Sequence, residues 1–150
     1  MDCPKPAVRW VAQEDPYGCG IAAFAMLLGI TYQEARRLLP DERPEETGMH
    51  VDDVLPDFGF ATLVKHQWIH WRIRNNKEER RTPWPPEPFY GVHLCRVQVT
   101  ATSPVFHWVI MLSDGSVLDP LTPTVRHLTD YEVVASVAAV VPLNPERRFS

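Results

Sequence analysis

Residues 19–28 read Cys-Gly-Ile-Ala-Ala-Phe-Ala-Met-Leu-Leu, a run of small and apolar side chains. On a helix these side chains would cover every face, which is typical of a helix buried all round rather than one lying on a surface. Gly29 can end such a helix. The sequence therefore predicts a buried helix that begins at Cys19.

Further helices are predicted in the first half of the chain. Thr31 and Glu34 form a capping-box pair that opens a second helix, which Pro40 ends. A polar link over residues 41–48 leads to a third short helix over about residues 51–58.

The second half of the chain predicts strands at residues 60–65, 90–100, 106–112 and 133–141. Asp114-Gly115 is a strong hairpin signal, and Val117-Leu118 begins the return strand. Helices followed by an antiparallel sheet predict the α+β class.

Length and composition favour one globular domain over residues 1–150, with 45% hydrophobic and 23% charged side chains. Residues 65–88 are charged and proline-rich, so we interpret them as an inserted loop or flap.

The longest apolar stretch is about half of what a bilayer crossing needs, and the N-terminus lacks the apolar region of a signal peptide. Three cysteines make no disulfide framework. We therefore expect a cytoplasmic protein with no membrane segment.

Charge and spacing argue against nucleic-acid and metal partners. Fifteen basic and nineteen acidic side chains give a net charge of −4, so nucleic-acid binding is disfavoured. His66 and His70 have the spacing of two ligands on one helical face, but nothing like a third ligand accompanies them. No metal site is predicted.

Cys19 is the candidate nucleophile. At the first position of a helix its thiol faces unpaired amide N–H groups and the positive end of the helix dipole, which favour a thiolate. Gly20 lets backbone or substrate approach closely. The alternative interpretation is a small buried apolar residue, the usual fate of a lone cysteine.

Gln13 and His107 fit a thiol mechanism. Gln13 lies in the loop before Cys19 and can donate to a developing oxyanion, together with a backbone N–H. His107 begins a predicted strand and can supply the imidazole base, with Asp119 on the return segment to fix its tautomer. Taken singly, a surface glutamine and a buried core histidine are the competing interpretations.

Two segments resemble one known family. Gln13-Glu-Asp-Pro-Tyr-Gly-Cys19-Gly-Ile-Ala-Ala-Phe-Ala-Met26 is similar to the cysteine-box of the bacteriocin-processing (double-glycine leader) peptidases and their standalone relatives, which belong to the papain-like superfamily. His107-Trp-Val-Ile-Met-Leu-Ser-Asp-Gly-Ser-Val-Leu-Asp119-Pro120 resembles their histidine-box. The resemblance spans roughly residues 8 to 120. It implies a papain-like α+β fold, with N-terminal helices packed on an antiparallel sheet.

The resemblance also implies the site and the reaction. Its residues would be Cys19 as nucleophile, His107 as general base and acid, Asp119 as orienting carboxylate and Gln13 as oxyanion donor, with Gly18, Gly20 and Trp108 next to substrate. Acyl transfer to the thiol would be followed by hydrolysis, without metal or organic cofactor. The expected function is a cysteine peptidase or isopeptidase acting on a polypeptide tail. The leader-peptide substrate is not carried over, because those members are usually fused to a membrane transporter.

Register bears on whether Asp119 reaches His107. With Asp114-Gly115 as a two-residue turn, Asp119 would lie opposite Ile110, on the face away from His107. A triad would then need a bulge or a segment that has left the ladder.

Two other functions stay open: a catalytically silent binding module that uses the same cleft, and a thiol acyltransferase or toxin domain.

Overall fold

The computed structural model describes residues 8–39, 51–74, 77–80, 91–98 and 106–143. The helices come first: α1 (Cys19–Leu28), α2 (Tyr32–Leu38) and α3 (Val51–Val54), the last continued by a 3₁₀ turn (Leu55–Phe58). The strands follow as β1 (Phe60–Arg74), β2 (Lys77–Arg80), β3 (His93–Gln98), β4 (His107–Met111), β5 (Val117–Asp119), β6 (Thr122–Arg126) and β7 (Val133–Pro142), with a second 3₁₀ turn (Leu128–Asp130) before β7. This order confirms the α+β class.

Helix α1 is buried along nearly its whole length, as predicted. From Ile21 to Leu27 no side chain is more than 3% exposed. Gly29 ends the helix in the left-handed region at φ 70°, where its N–H donates to the carbonyl of Ala25. None of the helices in the described ranges is both long and apolar enough to cross a membrane.

Helix α2 begins at the predicted capping box. The Thr31 hydroxyl accepts a hydrogen bond from the Glu34 N–H at 3.1 Å and lies 3.0 Å from Glu34 Oε1. The helix ends at Leu38, and Leu39 is already extended. The predicted link over residues 41–48 lies outside the described residues.

Within the described part of the chain the strands form one antiparallel sheet, in the order β2-β1-β7-β3-β4-β5-β6. Strand β1 runs to Arg74 rather than ending near residue 65, because the long β7 supplies backbone partners as far as His70 and β2 continues the pairing from Trp71. The expected flap therefore begins with the paired strands β1 and β2, whereas residues 75–76 and 81–88 lie outside the described residues. Strand β6 was not predicted.

The sheet buries side chains on both faces. Helix α1 packs on one face, against Leu94, Trp108 and Ile110. The opposite face carries a second cluster of buried residues: Cys95, Val97, Val109, Met111, Val117, Leu128, Tyr131, Val134 and Val137. Because side chains alternate along β4, His107 shares its face with Val109, and its position at the start of the strand brings it to the end of the sheet.

The β4–β5 hairpin has a three-residue loop, so the expected two-residue turn is wrong. The Leu112 N–H donates to the Ser116 carbonyl at 2.8 Å, and the Gly115 N–H donates to the Leu112 carbonyl at 3.0 Å. Gly115 adopts φ 87°, the left-handed residue that such a loop requires. Ile110 consequently pairs with Leu118, which places Asp119 opposite Val109 and on the face of His107.

Candidate active site

Cys19 is the first residue of α1 and is partly exposed. Gly18 caps the helix with its backbone alone, since it has no side chain to do so. The Gly18 N–H donates to the Asp15 carbonyl at 3.0 Å, which closes the turn that leads into the helix. The thiol thus stands where the first amide groups of a helix have no partner within the helix.

His107 connects Cys19 to Asp119. Its Nε2 lies 2.5 Å from Asp119 Oδ1, and its side chain is also hydrogen-bonded to Cys19. Since Nε2 faces the carboxylate, the nitrogen left for the thiol is Nδ1. Burial lowers the pKa of His107, but hydrogen bonds to Asp119 and Cys19 and the charges of both raise it by more, to about 9. The imidazole is therefore held as a cation when both neighbours are anions.

Asp119 is 3% exposed, and both of its carboxylate oxygens accept hydrogen bonds. Its Oδ1 accepts from His107 and from the Leu121 N–H, the latter at 2.9 Å, and its Oδ2 accepts from the Tyr131 hydroxyl at 2.6 Å. Burial acts to raise the pKa of this carboxyl. The hydrogen bonds and the His107 charge outweigh it, so the pKa lies below its usual value. Asp119 therefore stays ionised at neutral pH.

The segment before Cys19 is attached to the end of β5. The Trp10 indole N–H donates to the Asp119 carbonyl at 2.7 Å, and the Gln13 N–H donates to the Pro120 carbonyl at 3.2 Å. These two bonds join the two distant segments that carry the predicted nucleophile and the predicted carboxylate. The pairing of Cys19, His107 and Asp119 thus depends on backbone contacts as well as on the side chains themselves.

Gln13 lies beside Pro120 with its amide nitrogen already engaged. Its Nε2 donates to the Asp15 carbonyl at 2.9 Å and to the Pro16 carbonyl at 3.2 Å. Its Oε1 is buried and has no hydrogen-bond partner among the described residues. In this arrangement Gln13 holds the loop before Cys19, and donation to an oxyanion would require one of its two bonds to open.

The three predicted substrate-binding residues are buried. Gly18 lies under the Tyr32 hydroxyl, which a Cβ at this position would strike. Gly20 lies inside α1, and Trp108 is 8% exposed in the core against that helix. The close packing around all three residues accounts for their small or apolar side chains. Contact of any of them with substrate stays a prediction.

Two tyrosines of the site were missed from the sequence. Tyr131 bonds Asp119, and Tyr32 donates to Asp15 Oδ2 at 2.6 Å in the turn before Cys19. Burial, together with the carboxylate that each faces, raises the pKa of both phenols above its usual value. Neither tyrosine lies in a recognisable motif, and only the fold brings each one to its carboxylate.

A cavity of about 770 Å³ lies apart from these groups. It is lined by residues of the segment before Cys19, of the second half of α1 and of the start of α2, including Ala25, Met26 and Ile30. Cys19, His107 and Asp119 do not line it. Among the residues whose side chains are described, no three His, Cys, Asp or Glu are grouped as metal ligands. The side chains of His66 and His70 are outside that set.

Comparison with models of protein families finds none that matches the chain, and a search of curated proteins finds no significant match.

Proposed function

We propose that this protein is a papain-like cysteine hydrolase, a peptidase or isopeptidase that cleaves an amide bond in a polypeptide. The observation that carries the proposal is the chain of contacts from Asp119 through His107 to Cys19. A thiol, an imidazole and a buried carboxylate in this order are the groups that nucleophilic acyl transfer uses.

In the proposed cycle Cys19 is the nucleophile and His107 carries the proton. The Cys19 sulfur attacks the substrate carbonyl after its proton has passed to His107 Nδ1, forming a tetrahedral intermediate. His107 then gives that proton to the leaving amine, and a thioester to Cys19 remains. His107 next takes a proton from water, whose oxygen attacks the thioester and releases the acid with the free thiol.

Asp119 orients His107 and stabilises its cationic form during both steps. Its low pKa means that it stays an anion and does not itself take the proton. The developing oxyanion would be stabilised by the Cys19 backbone N–H and by Gln13 Nε2, once that amide releases the carbonyl of Pro16 or Asp15. The proposal includes a reducing, cytoplasmic setting, because Cys19 must remain a free thiol.

The site disfavours the catalytically silent binding module. Burying a carboxylate and an imidazole together costs free energy through desolvation, and a surface that only binds a partner has no need of it. The acyltransferase and toxin-domain hypotheses use the same three side chains. They differ from the proposed hydrolase only in what accepts the acyl group and in where the protein acts.

Mass spectrometry of covalent adducts tests the proposal. The protein is treated with a panel of peptide and ubiquitin-like electrophiles, alongside the variants Cys19→Ala and Cys95→Ala. Cys95 is a matched control, because it is a free cysteine with 0% exposure. We expect one adduct on Cys19, retained in Cys95→Ala and absent in Cys19→Ala. Failure of every electrophile to label Cys19, with a partner bound equally by Cys19→Ala, would instead establish a binding module.

A further inference from the structure

We propose that Tyr131 is a positioning residue for the reaction, which acts through Asp119 by donating its hydroxyl hydrogen to Asp119 Oδ2. This inference rests on the proposed function and adds a fourth member to the chain of Cys19, His107 and Asp119. The donor lies 2.6 Å from the acceptor, within the range of a charge-assisted O–H···O⁻ bond.

Geometry gives each Asp119 oxygen a separate task. Oδ1 faces His107 and also accepts from the Leu121 N–H, whereas Oδ2 accepts from Tyr131. A carboxylate held at both oxygens cannot rotate about its Cβ–Cγ bond without breaking a bond. Tyr131 therefore keeps Oδ1 directed at His107 Nε2.

The backbone around Tyr131 is itself fixed. The 3₁₀ turn Leu128–Asp130 precedes it, and the Tyr131 N–H donates to the Leu128 carbonyl at 3.2 Å. The turn is closed by a bond from the His127 N–H to Asp130 Oδ2 at 2.9 Å. Tyr131 is 2% exposed and belongs to the cluster on the sheet face opposite α1. Because Tyr131 is buried to this extent, it does not contact substrate. It is therefore a positioning residue and not a catalytic one.

Three other titratable or charged groups act on this pair directly, and a fourth acts through His107. His107 acts on Asp119 from β4, and Cys19 acts on His107 from the start of α1. Arg126, at the end of β6, and Asp130, in the 3₁₀ turn, act on Tyr131 with opposite signs. The Tyr131 hydroxyl helps to keep the pKa of Asp119 below its usual value, so its removal must raise that pKa.

The variant Tyr131→Phe removes the hydroxyl and keeps the ring. Once Asp119 is protonated, His107 loses its anionic partner and Cys19 loses the cation beside it. We therefore expect the acid limb of the rate of Cys19 alkylation by iodoacetamide to move to higher pH by about one unit. If Tyr131 had only a structural role, the variant would be alkylated more slowly at every pH, and the acid limb would stay at the same pH as in the wild type.

Two comparisons separate this effect from general damage. Tyr32→Phe removes another hydroxyl–carboxylate bond, the partly buried one to Asp15, and we expect no movement of the limb whatever happens to the maximal rate. In an Asp119→Asn background, Tyr131→Phe is expected to cause no further shift, because the carboxylate through which it acts is gone. If Tyr131→Phe does not fold, 3-fluorotyrosine at position 131, a stronger donor, is expected to move the limb to lower pH.

A readout without thiol chemistry keeps this inference apart from the proposed function. In Cys19→Ala protein, the NMR signals of the His107 ring are followed against pH, with and without Tyr131→Phe. We expect the transition caused by Asp119 protonation to move to higher pH in the variant. An unmoved transition in folded protein, or an equal shift in Tyr32→Phe, overturns the role of Tyr131. Absence of alkylation at Cys19 in the wild type would overturn the proposed function while the NMR result still decides this inference.

Discussion

Asp119 lies diagonally across the β4–β5 hairpin from His107, and the two side chains meet with Oδ1 at 2.5 Å from Nε2. The three-residue loop Ser113-Asp114-Gly115 sets this relationship, because it fixes which residue of β5 lies opposite each residue of β4. A pairing shifted by one residue would turn Asp119 to the other face of the sheet. The register of this hairpin thus controls the proposed site.

Deletion of Val117 is expected to abolish activity. With the loop kept and Leu112 still opposite Ser116, Leu118 comes opposite Met111 and Asp119 comes opposite Ile110, on the face away from His107. We expect a fall in reactivity of Cys19 by at least about tenfold at pH 7, measured by alkylation of protein that circular dichroism shows to be folded. Deletion of Ser113 is the matched control: it leaves Asp114-Gly115 as a two-residue turn between Leu112 and Ser116, so Asp119 stays opposite Val109. Equal rates in the two variants would contradict the account of register.

Asp119→Asn is expected to lower the pKa of His107 from about 9 by at least about one unit. Burial lowers this pKa, and in the variant only Cys19 still opposes it, because the charge of Asp119 is gone. NMR titration of the histidine rings measures the change directly. Asp114→Asn, in the exposed loop of the same hairpin, serves as control and should leave His107 titrating as in the wild type. A His107 pKa that stays near 9 in Asp119→Asn would show that the carboxylate does not act on the imidazole.

The free energy of unfolding is expected to depend on pH through His107. Its pKa is raised above the unfolded value, so its contribution is complete below about pH 6.5 and is lost as pH rises through about 9. Asp119, whose pKa is lowered, contributes above the unfolded carboxyl range and loses its contribution on acidification. Urea unfolding at pH 6 and pH 10 should show a loss of at most about 3 kcal/mol in the wild type that is absent from His107→Gln. Parallel pH dependence in both proteins would contradict this.

Gly18→Ala is expected to destabilise the protein by about 2 kcal/mol, because the new Cβ strikes the Tyr32 hydroxyl and approaches the Asp15 carbonyl. Tyr32→Phe alone loses one partly buried hydrogen bond to a carboxylate, at a cost of about 1 to 2 kcal/mol. The double variant removes the group that the Cβ strikes, so its loss should be smaller than the sum of the two. Urea denaturation measures all three. Strict additivity would mean that Gly18 is not required for the approach of Tyr32.

Local sequence signals predicted the elements that they encode directly. The apolar run after Cys19, the Thr31–Glu34 capping box and the strand from His107 appear with bounds within a residue or two of those predicted. The end of β1 and the whole of β6 were missed, because charged and threonine-rich strands are stabilised by pairing with neighbours and not by an apolar pattern of their own.

The site was predicted in part for the same reason. Cys19, His107 and Asp119 stand in stretches with a recognisable pattern, and the structure brings them together. The loop length after Leu112 was misjudged, because Asp114-Gly115 fits both a two-residue turn and the end of a three-residue loop. Tyr131 could not have been found, since its hydroxyl meets Asp119 only through the path of the chain after β6.

The account depends on proton sharing between the Cys19 sulfur and the His107 ring, and the pH dependence of Cys19 alkylation in wild type and His107→Ala tests it most directly. At pH 6 Cys19 of the wild type should react with iodoacetamide at least about tenfold faster than Cys19 of His107→Ala, and the difference between the two proteins should shrink as the pH rises. The same pH profile in both proteins would show that the imidazole does not act on the sulfur and would contradict the proposed chemistry.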